Sequence, residues 1–209
     1  MEYSFGGQIF ELLPEKVMWH HDSETLFISD VHIDKIHHFR KNGISLPANA
    51  GHRTLIKLDA LVKRISPKTI IFLGDLFHAS DNNGVLQFLE WRRSISQIQC
   101  ILVVGNHDVV TAKSIESEDI LVTELYDFSG ISCTHYPTED HKYNLAGHLH
   151  PAVKLKGKGR QSIVLPCFFF SEKVAVLPPF GYFTGHYIIK ETDDYDIFCI
   201  AENKVIKVH

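Results

Sequence analysis

What this 209-residue chain lacks narrows the field before any motif is considered. No apolar run approaches the ~18 residues of a membrane-spanning helix, so no helical membrane anchor is expected. The first residues carry Glu2, Glu11 and Glu15, with no basic segment ahead of an apolar core. That is not the pattern of a signal peptide, and the expected location is the cytoplasm. Cysteine is sparse: Cys100, Cys133, Cys167 and Cys199 all sit inside apolar runs, with no Cys-x-x-Cys pair among them. Buried, reduced thiols on strands are expected rather than a disulfide framework or a thiolate metal site. No repeat, low-complexity tract or linker interrupts the chain, and 44% hydrophobic residues suffice for one domain over 1–209 with a full core. Positive charge is not in excess either. A net charge of -4 argues against a strong general attraction to phosphate backbones.

Histidine, by contrast, is abundant, at 14 residues. Several histidines fall into short polar segments placed where hydrophobic runs stop: Asp30-Val31-His32, Gly74-Asp75, Gly105-Asn106-His107-Asp108 and Gly147-His148-Leu149-His150. Thr25 to Ser29 leads into the first, Thr69 to Leu73 into the second, and Cys100 to Val104 into the third. These runs are β-branched and aromatic without helical period, as expected of strands buried on both faces. Ile131 to Thr134 before His135, and Tyr143 to Ala146 before Gly147, repeat the pattern more weakly. Ligands of layered α/β proteins bind beyond the carboxyl ends of strands, so these segments can converge on one site. Gly74, Gly105 and Gly147 suit sharp exits and close approach of a ligand.

Carboxylate, imidazole and amide carbonyl together are the inventory for hard-to-borderline divalent ions. One ion would take Asp30, His32 and His150, a second would take Asn106, His135 and His148, and Asp75 can bridge them. Two cations about 4 Å apart can activate a shared hydroxide, hold phosphoryl oxygens and stabilise the charge of in-line attack. A leaving alkoxide also needs a proton. An imidazole with an unperturbed pKa of ~6.5 supplies one well at neutral pH, which makes His107 the candidate general acid, with Asp108 orienting its ring and holding it charged. His135 has a rival in His141 but follows a strand. His20, His21, His52, His141 and His209 read as surface or core residues.

The set resembles the calcineurin-like metallophosphoesterase superfamily, in which these positions are the metal ligands and His107 the proton donor. Further stretches are similar to the bacterial ligase-associated DNA damage response endonucleases: Leu12-Leu13-Pro14-Glu15, Asp30 to Lys35, His38-Phe39-Arg40, Leu165-Pro166-Cys167-Phe168 and Pro179 to Gly185. Asp34 departs from that pattern, where glycine is expected. The resemblance implies a metal-dependent phosphodiesterase acting on DNA, with an ATP-dependent DNA ligase, a helicase and an exonuclease as partners. Manganese is the first expected metal, with iron, zinc or magnesium as alternatives. Two other functions stay open: hydrolysis of a small nucleotide or other small phosphoester, and a phosphoesterase-fold scaffold in a repair complex.

Local charge favours a polyanion more than the total does. Lys35, Arg40 and Lys41, with His37 and His38 between, follow the first metal motif, while Lys154, Lys156, Lys158 and Arg160 follow the last. Lys35, His38, Arg40 and His78 are the candidate substrate-binding residues, and His78 is the next candidate acid. Lys154 to Arg160 equally suits a solvated hairpin around Gly157-Lys158-Gly159. Helices are predicted over Asn49 to Ile65 and Val85 to Ile98. Strands are predicted over Ala152 to Lys156, Gln161 to Phe169, Lys173 to Leu177, Tyr187 to Lys190, Tyr195 to Ala201 and Lys204 to Val208. The expected fold is α/β, two mixed β-sheets packed as a sandwich flanked by helices.

Overall fold

Strands that are apolar on both sides need a layer against each face, and the chain supplies one on each. The computed structural model describes residues 1–33, 53–77, 82–108, 115, 119–157, 159, 161–182, 184–190 and 194–208. The first sheet has seven strands in chain order: β1 (Glu2–Phe5), β2 (Gln8–Leu13), β3 (Val17–His20), β4 (Thr25–Ile28), β5 (Thr69–Leu73), β6 (Gln99–Val103) and β7 (Ile120–Thr123). β1 to β4 form an antiparallel meander, and β4 to β7 run parallel. Helix α1 (Arg53–Ile65) precedes β5, and α2 (Asn82–Ser94) joins β5 to β6.

Side-chain parity divides the core. Leu26, Ile28, Ile70, Phe72, Cys100 and Leu102 pack with Leu58, Leu61 and Val62 of α1 and with Phe88 and Trp91 of α2. Their neighbours Phe27, Ile71, Leu73, Ile101 and Val103 point the other way, into a core shared with the second sheet. Truncating a fully buried aromatic there, such as Phe27, to alanine costs about 3–5 kcal/mol.

The second sheet has nine strands: β8 (Tyr126–Phe128), β9 (Ile131–Cys133), β10 (Asn144–Ala146), β11 (Pro151–Lys156), β12 (Ser162–Phe170), β13 (Val174–Val176), β14 (Tyr187–Ile188), β15 (Asp196–Ala201) and β16 (Lys204–Lys207). Their order is β14-β11-β12-β13-β10-β9-β8, with β15 on β12 and β16 on β15. Long β12 serves three neighbours: Ser162 to Pro166 pair with β11, while Cys167 to Phe170 pair with β15 and Phe169-Phe170 also with β13. Cys133, Leu145, Phe168, Ala175 and Phe198 face the first sheet. The architecture is therefore the expected α/β sandwich of two mixed sheets, with the described helices outside the first. All four cysteines are buried and unpaired. Among the described residues, no helix is long and apolar enough to cross a membrane.

The second helix differs from expectation, ending at Ser94 rather than Ile98. Ile95 N bonds Arg92 O at 3.2 Å and Ile98 N bonds Ile95 O at 2.9 Å. Successive tight turns thus bury every third residue and imitate helical spacing beyond the helix. The expected start of the first helix, 49–52, lies outside the described residues.

Candidate metal centre

Strand direction gathers the polar residues. β4, β5 and β6 are parallel, so their carboxyl ends lie side by side, and the chain leaves them through Asp30, Gly74-Asp75 and Gly105-Asn106. β9 and β10, parallel in the other sheet, deliver His135 and His148. Backbone bonds fix these exits to one another: Asp30 N donates to Gly74 O at 3.1 Å, His32 N to Asp75 O at 2.9 Å, and Gly147 N to His135 O at 3.2 Å.

The result is two groups, Asp30 with His32 and His150, and Asp75 with His135 and His148, whose ligand atoms lie within 4.8 Å of one another in each group. Asp75 stands between them, with Oδ2 4.0 Å from His32 Nε2 and Oδ1 3.5 Å from His135 Nε2. Asn106 adjoins the second group, its Oδ1 3.2 Å from His135 Nε2. His141, the rival of His135, belongs to neither group. Asp30, His32, Asp75 and His135 are buried, whereas His148 and His150 are half-buried and Asn106 is exposed. The centre therefore has a buried floor and an open mouth.

Two observations fit metal ions rather than a self-contained hydrogen-bond network. Asp30 Oδ1 is buried and accepts no hydrogen bond, although His150 Nε2 is 3.2 Å away. A carboxylate oxygen shut off from water without a well-aligned donor is costly, and a cation shared with the imidazole would satisfy it. In the second group, His135 Nδ1 lies 3.0 Å from the Leu73 carbonyl, which only accepts, so Nδ1 carries the proton. The other nitrogen, Nε2, faces Asn106 Oδ1 at 3.2 Å, Asp75 Oδ1 at 3.5 Å and His148 Nδ1 at 3.1 Å. A cation is a partner that these atoms can share.

Electrostatics point the same way. Burial works to raise the Asp30 carboxyl, but His150, Ser29 and His135 outweigh it and hold it below the usual carboxylate range. Burial, and then His135, push the His148 imidazole down toward the neutral form that ligates metal. Ser29 Oγ and His148 N both donate to Asp30 Oδ2, at 2.7 and 2.9 Å, fixing that carboxylate from behind.

His107 stands at the mouth, 38% exposed, with its Nε2 3.9 Å from Asp75 Oδ2. Its backbone N donates to Asp75 Oδ1 at 3.0 Å. Asp108 is buried beneath, accepting Phe77 N at 3.1 Å and Gly105 N at 3.0 Å, and so staples the second motif to the third. Burial pushes its carboxyl up to about 7 against those two amides.

Three features escaped the sequence. The backbone is left-handed at Asp30, His32, Asp75, His148 and His150, with φ of 49, 47, 50, 66 and 52 degrees. Non-glycine residues there carry strain of about 1–2 kcal/mol each, concentrated at this centre. Gly74 and Gly105 make room for candidate ligands of the protein itself: an added Cβ would overlap the His135 ring at Gly74 and the Asp75 carboxylate at Gly105. Pro179 to Tyr182 buttress the first motif, since Phe180 N donates to Ser29 O at 2.9 Å and Gly181 N to Asp30 O at 3.0 Å. Lys57 of α1 holds that buttress, its Nζ 3.3 Å from Phe180 O and 3.8 Å from the ring centroid. The substrate-binding candidates Lys35, His38, Arg40 and His78 lie outside the described residues, as do Lys158 and Arg160.

A model of the calcineurin-like phosphoesterase family matches residues 24–201. The chain belongs to the calcineurin-like phosphoesterase family. This metallophosphoesterase family uses dinuclear metals, and the two His/Asp groups fit that requirement. Among solved structures, the Pseudomonas putida nuclease MPE is similar over 100% of this chain and 99% of its own, at 28% identity and a TM-score of 0.83. A protein of unknown function from Aquifex aeolicus, AQ665, is similar over 65% of this chain and 82% of its own, at 19% identity and a TM-score of 0.43. That likeness is too distant to carry an argument. No curated relative matches the chain.

Proposed function

We propose that this metallophosphoesterase is a phosphodiesterase that cleaves DNA, with Asp30, His32 and His150 holding one divalent ion, Asn106, His135 and His148 a second, and Asp75 shared. The carrying observation is Asp75 itself, whose two oxygens face histidines of different groups at 4.0 and 3.5 Å. When bound, such ions lower the pKa of a water between them and hold phosphoryl oxygens. The chain's own residues do the rest. The buried Asp30 and Asp75 keep their places through hydrogen bonds from Ser29, His148 and His107. His107, on the open side of Asp75, hands a proton to the departing oxygen. Asp108 orients it by fixing the turn that carries it, through Gly105 N at 3.0 Å.

Likeness to a nuclease over the whole chain supports DNA as substrate, as do the exposed Lys154 and Lys156 that follow His150 on β11. Manganese is the proposed metal, the cytoplasm the proposed location, and an ATP-dependent DNA ligase, a helicase and an exonuclease the proposed partners. The net charge of -4 favours a second reading, hydrolysis of a small nucleotide. The discriminating experiment compares manganese-dependent cleavage of single-stranded DNA, duplex DNA and small nucleotides by the purified protein. Cleavage of DNA supports the proposal, and hydrolysis of small nucleotides alone replaces it with the second reading.

A further inference from the structure

Beside the second metal group lies a cleft of about 590 Å³ whose walls include Val104, Asn106, Glu124, Tyr136, Thr138 and Asp140. Its size is that of a small-molecule site. Tyr136 is the unusual member. Half of the residue is exposed, at 50%, yet it is held at both ends: the hydroxyl donates to Asn106 Oδ1 at 3.2 Å, and the ring packs 4.4 Å from the His148 ring and 4.9 Å from His135. Most side-chain hydrogen bonds go to backbone or water rather than to another side chain. Here the hydroxyl is fixed on a candidate metal ligand and the ring is clamped by two more, so little side-chain freedom remains to be lost when something stacks on it.

The charge of the cleft says which part of a substrate belongs there. Among the described residues no lysine or arginine lines it, and the carboxylates of Glu124 and Asp140 are exposed at its rim. A second phosphate would be repelled. A planar, neutral group bearing N–H donors would stack on Tyr136 and find acceptors at the rim. We propose that this cleft receives the nucleobase of a nucleotide whose phosphate lies at the metal centre, with Tyr136 as the stacking wall. The inference rests on the phosphodiesterase reading above and adds a base-binding subsite to it, on the side of the second group. Stacking on an aromatic face accepts every base, so the subsite confers preference for nucleosides over simple alkyl esters without dictating sequence.

The test compares three activated esters with the manganese-loaded protein: thymidine 5′-(p-nitrophenyl) phosphate, thymidine 3′-(p-nitrophenyl) phosphate and methyl p-nitrophenyl phosphate. One of the two thymidine esters should show a KM on the order of tenfold below that of the methyl ester. Tyr136→Leu should erase that difference, and Tyr136→Phe, which keeps the ring, should retain it. Calorimetric binding of thymidine 5′-monophosphate should weaken in Tyr136→Leu by a similar factor, and manganese stoichiometry, measured alongside, should match that of the unmodified protein. Equal KM for all three esters, a nucleoside preference that survives Tyr136→Leu, or loss of manganese from that variant would each overturn the subsite. Failure of the underlying reading looks different: neither DNA nor any of the esters would then be cleaved with any divalent metal.

Discussion

Replacing Gly74 by alanine should damage stability and metal binding together, and the structure says by how much. Gly74 has φ +81, and an added Cβ would meet the His135 ring. A left-handed non-glycine residue costs about 1–2 kcal/mol. Displacing the ring also breaks the bond of His135 Nδ1 to Leu73 O at 3.0 Å, a loss of about 0.5–1.5 kcal/mol. Together these amount to about 1.5–3.5 kcal/mol, a large fraction of the 5–15 kcal/mol typical of a domain. Gly130 supplies the control, since its φ is +84 but an added Cβ there meets nothing within 4 Å. Gly130→Ala should therefore show the backbone cost alone. Urea unfolding in the presence of chelator would give both stabilities, and calorimetric manganese titration would give stoichiometry. The expected outcome is a larger loss of stability for Gly74→Ala than for Gly130→Ala, with the manganese count reduced from two to one only in the former. Equal losses, or two tightly bound ions in Gly74→Ala, would refute the coupling of Gly74 to His135.

His107→Ala should depress cleavage of DNA, whose alkoxide leaves badly, by about 10²- to 10⁴-fold, and hydrolysis of bis(p-nitrophenyl) phosphate much less. Steady-state kinetics on both substrates decide it; equal losses would make His107 a ligand or a phosphate-binding group. The double variant Lys154→Ala, Lys156→Ala should weaken DNA binding and lower its salt slope by about two, measured by fluorescence anisotropy from low to moderate salt. Burial, and then Lys16, lower the Lys57 ammonium from 10.5 to about 7, with Glu15 opposing. The folded state then binds fewer protons than the unfolded one between those values, so stability from this group is absent below pH 7 and grows as pH rises toward 10.5. Thermal unfolding of Lys57→Met across that window should show the rise flattened.

Much of the site was legible because its chemistry and its strand context coincide. Leu26-Phe27-Ile28 and Ile70-Ile71-Phe72-Leu73 are apolar on both faces because helices cover one face and a sheet the other. Polar residues directly after such runs have few purely structural reasons to be there. The meander β1 to β3 was harder to see. Its strands are only four to six residues long, and β1 and β2 carry Glu2 and Glu11, because β1 is an edge and both strands leave part of their side chains to solvent. The left-handed turns at Asp30, His32, Asp75, His148 and His150 left no trace, since Asp and His, although enriched there among non-glycine residues, adopt that conformation too seldom for their presence to signal it. Nor did Tyr136 announce itself. A tyrosine after a histidine gains meaning only when folding sets its hydroxyl on Asn106, 30 positions away.

The claim on which everything else depends is that two ions share Asp75. Anomalous diffraction from crystals soaked in manganese tests it directly. Two peaks about 4 Å apart are expected, one bounded by Asp30, His32 and His150, the other by Asn106, His135 and His148, with an Asp75 oxygen within bonding distance of both. A single peak in excess manganese, or two peaks of which only one touches Asp75, would contradict it.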